Sequence, residues 1–179
     1  MNNLRYDFND TDGWYERPPG IIVLERIGAS AANYKTSSFM IISTHIKPKS
    51  GVTDMTTENE INRLSDVYAD ALLKHPTIGS AIIAGDFNAD CTYVADPDTM
   101  TLYTDPNNLW LVPFTADTTV KDTDCAYDHL VLYGDIQNHQ QLAGVFNYQT
   151  HYDTDNIFYE DEAITDLISD HFPVEFSFH

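Results

Sequence analysis

Short apolar runs alternate with polar, turn-forming stretches along the chain and predict a sheet protein with few helices. Ile21–Leu24 and Ser38–Thr44 each read as a strand, and with a turn at Ala29–Lys35 they suit an antiparallel pair. Residues 1–20 are polar and turn-rich and read as a loop ending Arg17-Pro18-Pro19-Gly20. Ile61, Leu64, Val67, Tyr68, Ala71 and Leu72 fall at helical spacing and predict a helix over Glu58–Lys74, stopped before Pro76. Thr57 with Glu60 three residues on reads as its capping box. Ala81–Ala84 is continuously apolar and predicts a strand buried on both faces, after which Gly85 allows a sharp change of direction. Thr99–Tyr103 suits a helical turn or a short strand, and Trp110–Pro113 is a short apolar segment. Tyr127–Tyr133, Gly144–Tyr148 and Val174–Phe178 predict further strands, and Glu160–Leu167 a short helix. The pattern describes one α/β (α+β) sandwich over residues 1–179, built mainly of antiparallel pairs, with no repeat or linker.

Charge narrows the function. The chain carries 28 acidic against 9 basic residues, a net charge of −19, which argues against nucleic-acid binding through a general basic patch. It leaves open an enzyme that meets phosphate through a divalent cation. No run of 18 apolar residues is present to span a membrane, and the first residues lack a signal peptide's apolar region. Cys91 and Cys125, without CxxC or HxxxH spacing, leave a disulfide and two free thiols equally open. Asn9-Asp10-Thr11 is an N-glycosylation triplet, a pattern common by chance.

The polar residues next to predicted strands carry the chemistry. Asp86 and Asn88, at i and i+2 after the Ala81–Ala84 run, place a carboxylate and a carboxamide on one side of extended backbone. Asp128 opens a strand, Asp170 precedes one, and His45 and His171 occupy equivalent places. This is an inventory for metal-assisted phosphodiester hydrolysis: a carboxylate for the metal, a histidine for water, an amide for phosphate. The plain alternative is an acidic protein whose aspartates cap turns. Asp117–Cys125 is dense in oxygen ligands but lacks the EF-hand pattern.

Gly85-Asp86-Phe87-Asn88-Ala89-Asp90-Cys91-x-Tyr93, Cys125-Ala126-Tyr127-Asp128 and Ser169-Asp170-His171-Phe172-Pro173 resemble deoxyribonuclease I, within the endonuclease/exonuclease/phosphatase superfamily. Ser43-Thr44-His45 and the Glu60–Tyr68 stretch fit in the same order. The resemblance runs from about Tyr6 to the end. It implies a metal-dependent endodeoxyribonuclease of low sequence specificity, acting on double-stranded DNA with Mg²⁺ or Mn²⁺. By position, His45, Asp128 and His171 resemble catalytic residues, and Asp86 and Asp170 metal-site carboxylates. Arg17, Asn88, Tyr93, Thr123 and Tyr127 resemble phosphate- and DNA-contacting residues. Asp117, Thr119, Lys121 and Thr123 resemble a structural Ca²⁺ loop, with Lys121 entering only through its backbone carbonyl. Cys91 and Cys125 match a structural disulfide. The resemblance further implies secretion, and a protein partner such as actin.

The family also carries an asparagine in a first strand and two glutamates ahead of the matched part, and no apolar strand followed by Gln-Glu occurs before Ile21. The expectation is therefore the C-terminal two-thirds of such a nuclease, an N-terminally truncated domain that lacks part of its first sheet, with activity dependent on those glutamates. A non-catalytic calcium-dependent binding module derived from the same fold is the alternative. Phosphodiesterases of the superfamily that act on lipid or small phosphates fit Ala-Asp-Cys-x-Tyr and Arg17 less well.

Overall fold

The computed structural model describes residues 5–25, 38–49, 56–152 and 167–178. The turn expected at Ala29–Lys35 and most of the helix expected at Glu160–Leu167 lie outside them. A six-stranded sheet holds β1 (Arg5–Asp7), β2 (Gly20–Glu25), β3 (Ser38–His45), β4 (Ser80–Asp86), β6 (Asp128–Gly134) and β5 (Asn108–Trp110), in that spatial order. All pairs are antiparallel except β3 with β4. β7 (Gln140–Val145) and β8 (Val174–Phe178) form a second, two-stranded sheet. The expected mainly antiparallel α/β sandwich is what forms.

The two faces of the large sheet follow from strand alternation. Met40, Ile42, Ala81, Ile83, Val131 and Tyr133 point to one side, where Ile61, Leu64, Val67 and Ala71 of the helical segment pack on them. Ile82, Leu130 and Leu132 point to the other, against Val174 and Phe176 of β8. β4 is thus buried on both faces, as its continuous apolar run predicts.

Several local readings are corrected. Residues 5–7 are a strand, not loop: Phe8 N donates to Pro19 O, and the Pro18-Pro19 segment leads back so that β1 edges β2. The long helix is two, α1 (Thr57–Asn62) and α2 (Leu64–Lys74), meeting at Arg63. The cap is Thr56, whose side chain accepts from Asn59 N at 3.2 Å. Thr57 instead donates to Lys47 O and accepts from Lys49 N at 2.7 Å, and buried Glu60 pairs with Lys49. The expected capping box is therefore a clamp on residues 47–49. Gly85 does not turn the chain. β4 runs straight through it to Asp86, and the turn follows, with Asn88 and Cys91 at positive φ. Residues 101–104 are helical (α3), Trp110 ends β5, and the strand expected at Gly144–Tyr148 lies earlier, over β7, with α4 (Tyr148–Tyr152) after it.

Candidate functional site

Register assembles the site. His45 is the partner of Asp86 across the parallel β3–β4 pair, and Asp86 is the partner of Asp128 across β4–β6. Cross-strand partners share a face, so three strands end in one row, His45–Asp86–Asp128, on the face that bears the second sheet. Inward on the same face come Ser43, Ala84 and Leu130, and past them apolar Ile41 and Ile82. The site is where the core between the two sheets meets solvent.

His171 comes from the segment that enters β8. It forms an isolated bridge with Thr119, while Val120 N donates to Asp170 O and Phe172 N to Thr118 O. These bonds lay His171 over the row. Its Nδ1 lies 2.6 Å from Asp128 Oδ2 and its Nε2 3.9 Å from Asp86 Oδ2. His45 Nε2 lies 3.4 Å from the same Asp86 oxygen. Asp128 raises the His171 pKa above the ordinary histidine value, chiefly through this hydrogen bond, against an opposing effect of burial. Burial raises the Asp86 pKa, and the nearby Asp128 charge adds to it.

Asp86, Asp128 and His171 can each offer a ligand atom within 4.8 Å of the others. Two carboxylates, one of them disfavoured as an anion by burial, plus one imidazole are a donor set that a hard divalent cation relieves. Asp170 is exposed and lies outside this group; it acts on His171 as a nearby charge.

The other predicted residues distribute around this centre. Asn88 is buried; its Nδ2 donates to Ile46 O at 2.9 Å and its backbone N to Asp86 Oδ1 at 2.9 Å. Asn88 thus fixes both the Asp86 carboxylate and the segment after His45. Tyr93, Tyr127 and His171 form an aromatic row, with centroid spacings of 5.8 and 6.2 Å. Arg17 is exposed in the loop before β2. Cys91 and Cys125 are joined as a disulfide, Cα to Cα 5.8 Å. Asp117 Oδ1 accepts from Thr119 N and Thr119 Oγ1, and Thr119 Oγ1 approaches Thr123 O. Lys121 and Thr123 are exposed. Two clefts, of about 290 and 280 Å³, lie elsewhere, along residues 8–15 with Arg63 and Asp66, and along β7–β8. The histidine–carboxylate group lines neither of these clefts; Asp86, Asp128 and His171 are partly buried, and His45 is exposed at its edge.

Three supporting residues escape a reading from sequence. Thr118 Oγ1 accepts from Tyr127 N and Asp128 N and lies 3.2 Å from Cys125 O, while its carbonyl holds Phe172 N. It ties Asp128 to His171; the only sequence signal is a threonine pair in an acidic loop. Asp90 accepts from Cys91 N and Ala126 N, joining the two loops that the disulfide also joins. His129, fully buried, sets its ring nitrogens against Val112 O and Ala126 O, and burial depresses its pKa to about 4. Thr118→Val leaves two amide donors without an acceptor and is expected to lower stability by about 1–3 kcal/mol. Urea unfolding measures this; a loss below about 0.5 kcal/mol would remove Thr118 from the scaffold, since that is the range of surface substitutions.

No family model matches the chain. Among proteins of known identity, it is 37% identical to deoxyribonuclease gamma of Rattus norvegicus over 180 aligned positions, 97% of this chain and 52% of that protein. It is 34% identical to deoxyribonuclease-1 of Bos taurus over 166 positions, 90% of this chain and 52% of that one. The chain spans about half the length of the relatives it matches. Among solved structures, its fold is similar to that of the Haemophilus ducreyi cytolethal distending toxin, with a TM-score of 0.53 and 16% identity over 99% of this chain and 59% of that one.

Proposed function

From its resemblance to deoxyribonucleases, at 34% to 37% identity over most of the chain, we propose that the chain carries the histidine–carboxylate part of a metal-dependent endodeoxyribonuclease site. The observation that supports this best is the His45–Asp86–Asp128 row with His171 held over it by Asp128. Asp86 and Asp128 would hold a Mg²⁺ or Mn²⁺ ion, with Asp170 adding negative charge at the rim. Such an ion neutralises charge that develops on a phosphate under attack.

The residues' own work is proton transfer and positioning. Asp128 accepts the Nδ1 proton of His171, which fixes the tautomer with Nε2 free. That Nε2 takes a proton from the attacking water. His45, half exposed across the Asp86 carboxylate, is placed to give a proton to the departing sugar oxygen. Asn88 commits one amide hydrogen to Ile46 O; the other remains for a phosphate oxygen. Tyr93, Tyr127, Thr123 and Arg17 complete a surface toward the duplex backbone, contacts that position DNA without reading its bases.

A structural Ca²⁺ at Asp117, Thr119, Lys121 and Thr123 is part of the same proposal. Its support is the crowding of the Asp117 carboxylate, Thr119 hydroxyl and Thr123 carbonyl, where one hydroxyl hydrogen faces two acceptors. Export from the cell is supported by the disulfide. Among the described residues no helix is long and apolar enough to cross a membrane. Residues 1–179 belong, on this proposal, to a single domain.

The pH dependence tests the assignment of His171. A base must be neutral, so cleavage rises with pH through the folded pKa, which Asp128 holds above the ordinary 6.5. The acid limb of the rate profile is expected above pH 6.5. Asp128→Asn removes the carboxylate and moves the limb down while lowering the plateau. Stability carries the same linkage: a raised histidine pKa contributes fully below the unfolded value and is lost as pH rises through the folded one. An acid limb unmoved by Asp128→Asn contradicts the pairing. The function itself is tested by plasmid nicking with Mg²⁺, Mn²⁺ or Ca²⁺. Metal-dependent duplex binding with no cleavage under any ion favours the binding-module alternative.

A further inference from the structure

The chain has only 9 basic residues, and three of them gather beside the site. Arg17, Lys47 and Lys49 all act on Glu16, whose pKa is lowered, first through its hydrogen bond to Lys47. Lys47 follows His45 at i+2 and Ile46 between them is fully buried, so the extended segment points His45 and Lys47 to the same exposed side. This segment is held from both directions. Ile46 N donates to Asp86 O and Ile46 O accepts from Asn88 Nδ2. Thr57 binds Lys47 O and Lys49 N, and Lys49 Nζ is taken by buried Glu60 at 3.1 Å. The backbone of Lys47 is therefore fixed next to the site, while its ammonium group is paired, among the described residues, with the exposed Glu16 carboxylate.

We propose that Lys47 is a phosphate-binding residue for the duplex flanking the cleavage position, and that Glu16 is its built-in competitor, occupying the ammonium group until a DNA phosphate replaces it. The inference rests on the nuclease reading above and extends it to how an acidic chain engages a polyanion. A local cationic strip of Arg17 and Lys47, on the His45 side of the site, substitutes for the general basic patch that the net charge of −19 argues against. The Glu16 carboxylate lowers affinity where the strip would otherwise hold any phosphate.

The test uses the whole chain and a fluorescent short duplex in Ca²⁺ buffer, with affinity followed against salt, and plasmid nicking in Mg²⁺ alongside. Glu16→Gln is expected to tighten binding roughly two- to fivefold at low salt, the range of exposed ion pairs. Lys47→Met is expected to weaken binding and to reduce the log–log salt slope by about 0.9, one phosphate contact. The double variant is expected to bind close to Lys47→Met, because Glu16 acts first through its hydrogen bond to Lys47 and less through Arg17 and Lys49. Lys74→Met, whose partner Asp70 lies on α2, is expected to leave both readouts unchanged. Affinities for Glu16→Gln and Lys47→Met equal to wild type, a double variant that keeps the gain, or an equal effect at Lys74 overturns the proposal. If wild type still nicks plasmid in that event, the strip alone falls. A wild-type chain that neither binds duplex nor nicks plasmid removes the nuclease reading and the strip with it.

Discussion

Replacing His171 by alanine is expected to lower DNA cleavage by roughly 10²–10⁴-fold, the range of a lost general base. The fold should survive. The described side-chain bond of His171 is the one to Asp128, and its place in the chain is held by backbone bonds of Val120 and Phe172 and by Ser169 Oγ on its own amide. Duplex affinity in Ca²⁺ should therefore change little while the nicking rate collapses. Asp128→Asn should fall in the same direction, and the double variant should be no worse than His171→Ala, because the two residues act as a unit. Near-wild-type nicking by His171→Ala would remove the imidazole from the chemistry and leave the row across β3, β4 and β6 without a base.

Gly85→Ala is expected to be one of the two most damaging methyl additions among the described glycines, beside Gly134→Ala, whose Cβ would meet Gly79 O at 1.8 Å. Gly85 has φ +146°, and a Cβ there would meet Thr44 O at 1.9 Å and Thr44 C at 2.9 Å. Those are backbone atoms of the neighbouring parallel strand, so no side chain can swing away; β3 and β4 must separate or shear. Overpacking of a well-packed interior typically costs about 1–3 kcal/mol, and holding a residue with a Cβ at φ +146°, a backbone region sparsely populated outside glycine, adds about 1–3 kcal/mol. A loss of about 4 kcal/mol is the sum of those ranges' middles. The same shift pulls His45 from its partner Asp86, so activity should fall even in molecules that remain folded. Denaturant unfolding and nicking together check this. Stability within about 0.5 kcal/mol of wild type, the range of surface substitutions, would show that the β3–β4 approach is not tight.

The residue types of the site were readable from sequence because they sit where apolar runs stop. Asp86 after Ala81–Ala84, Asp128 before Leu130–Leu132 and His45 after Phe39–Ile42 each mark a strand end. Their alignment in one row was not readable. It depends on β3–β4 and β4–β6 register, a relation between distant segments that no local pattern encodes. The same limit hid Thr118, whose hydroxyl serves partners 9 and 10 residues away. It also hid the clamp of Thr57 on Lys47 and Lys49, because a threonine three residues before Glu60 fits a capping box equally well. β7 was placed late for another reason. Its first four residues are exposed and its only neighbour among the described residues is β8, so no apolar alternation announces it. The Cys91–Cys125 disulfide was open on cysteine count and followed from resemblance, and Asp90 shows the physical reason: it already ties Cys91 to Ala126. The resemblance to deoxyribonucleases and the sandwich fold follow the strand-end motifs and extend over nearly the whole chain.

On the proposed reading, Asp86, Asp128, His171 and His45 form a hydrolytic site for DNA. Incubating supercoiled plasmid with the purified, oxidised chain in Mg²⁺, beside the same chain in EDTA and the His171→Ala variant, tests it most directly. Slow conversion to nicked circles by the wild-type chain, which spans about half the length of its deoxyribonuclease relatives, abolished by EDTA and by His171→Ala, is the predicted result. Nicking by wild type no faster than by His171→Ala, in Mg²⁺ and in Mn²⁺, would contradict it.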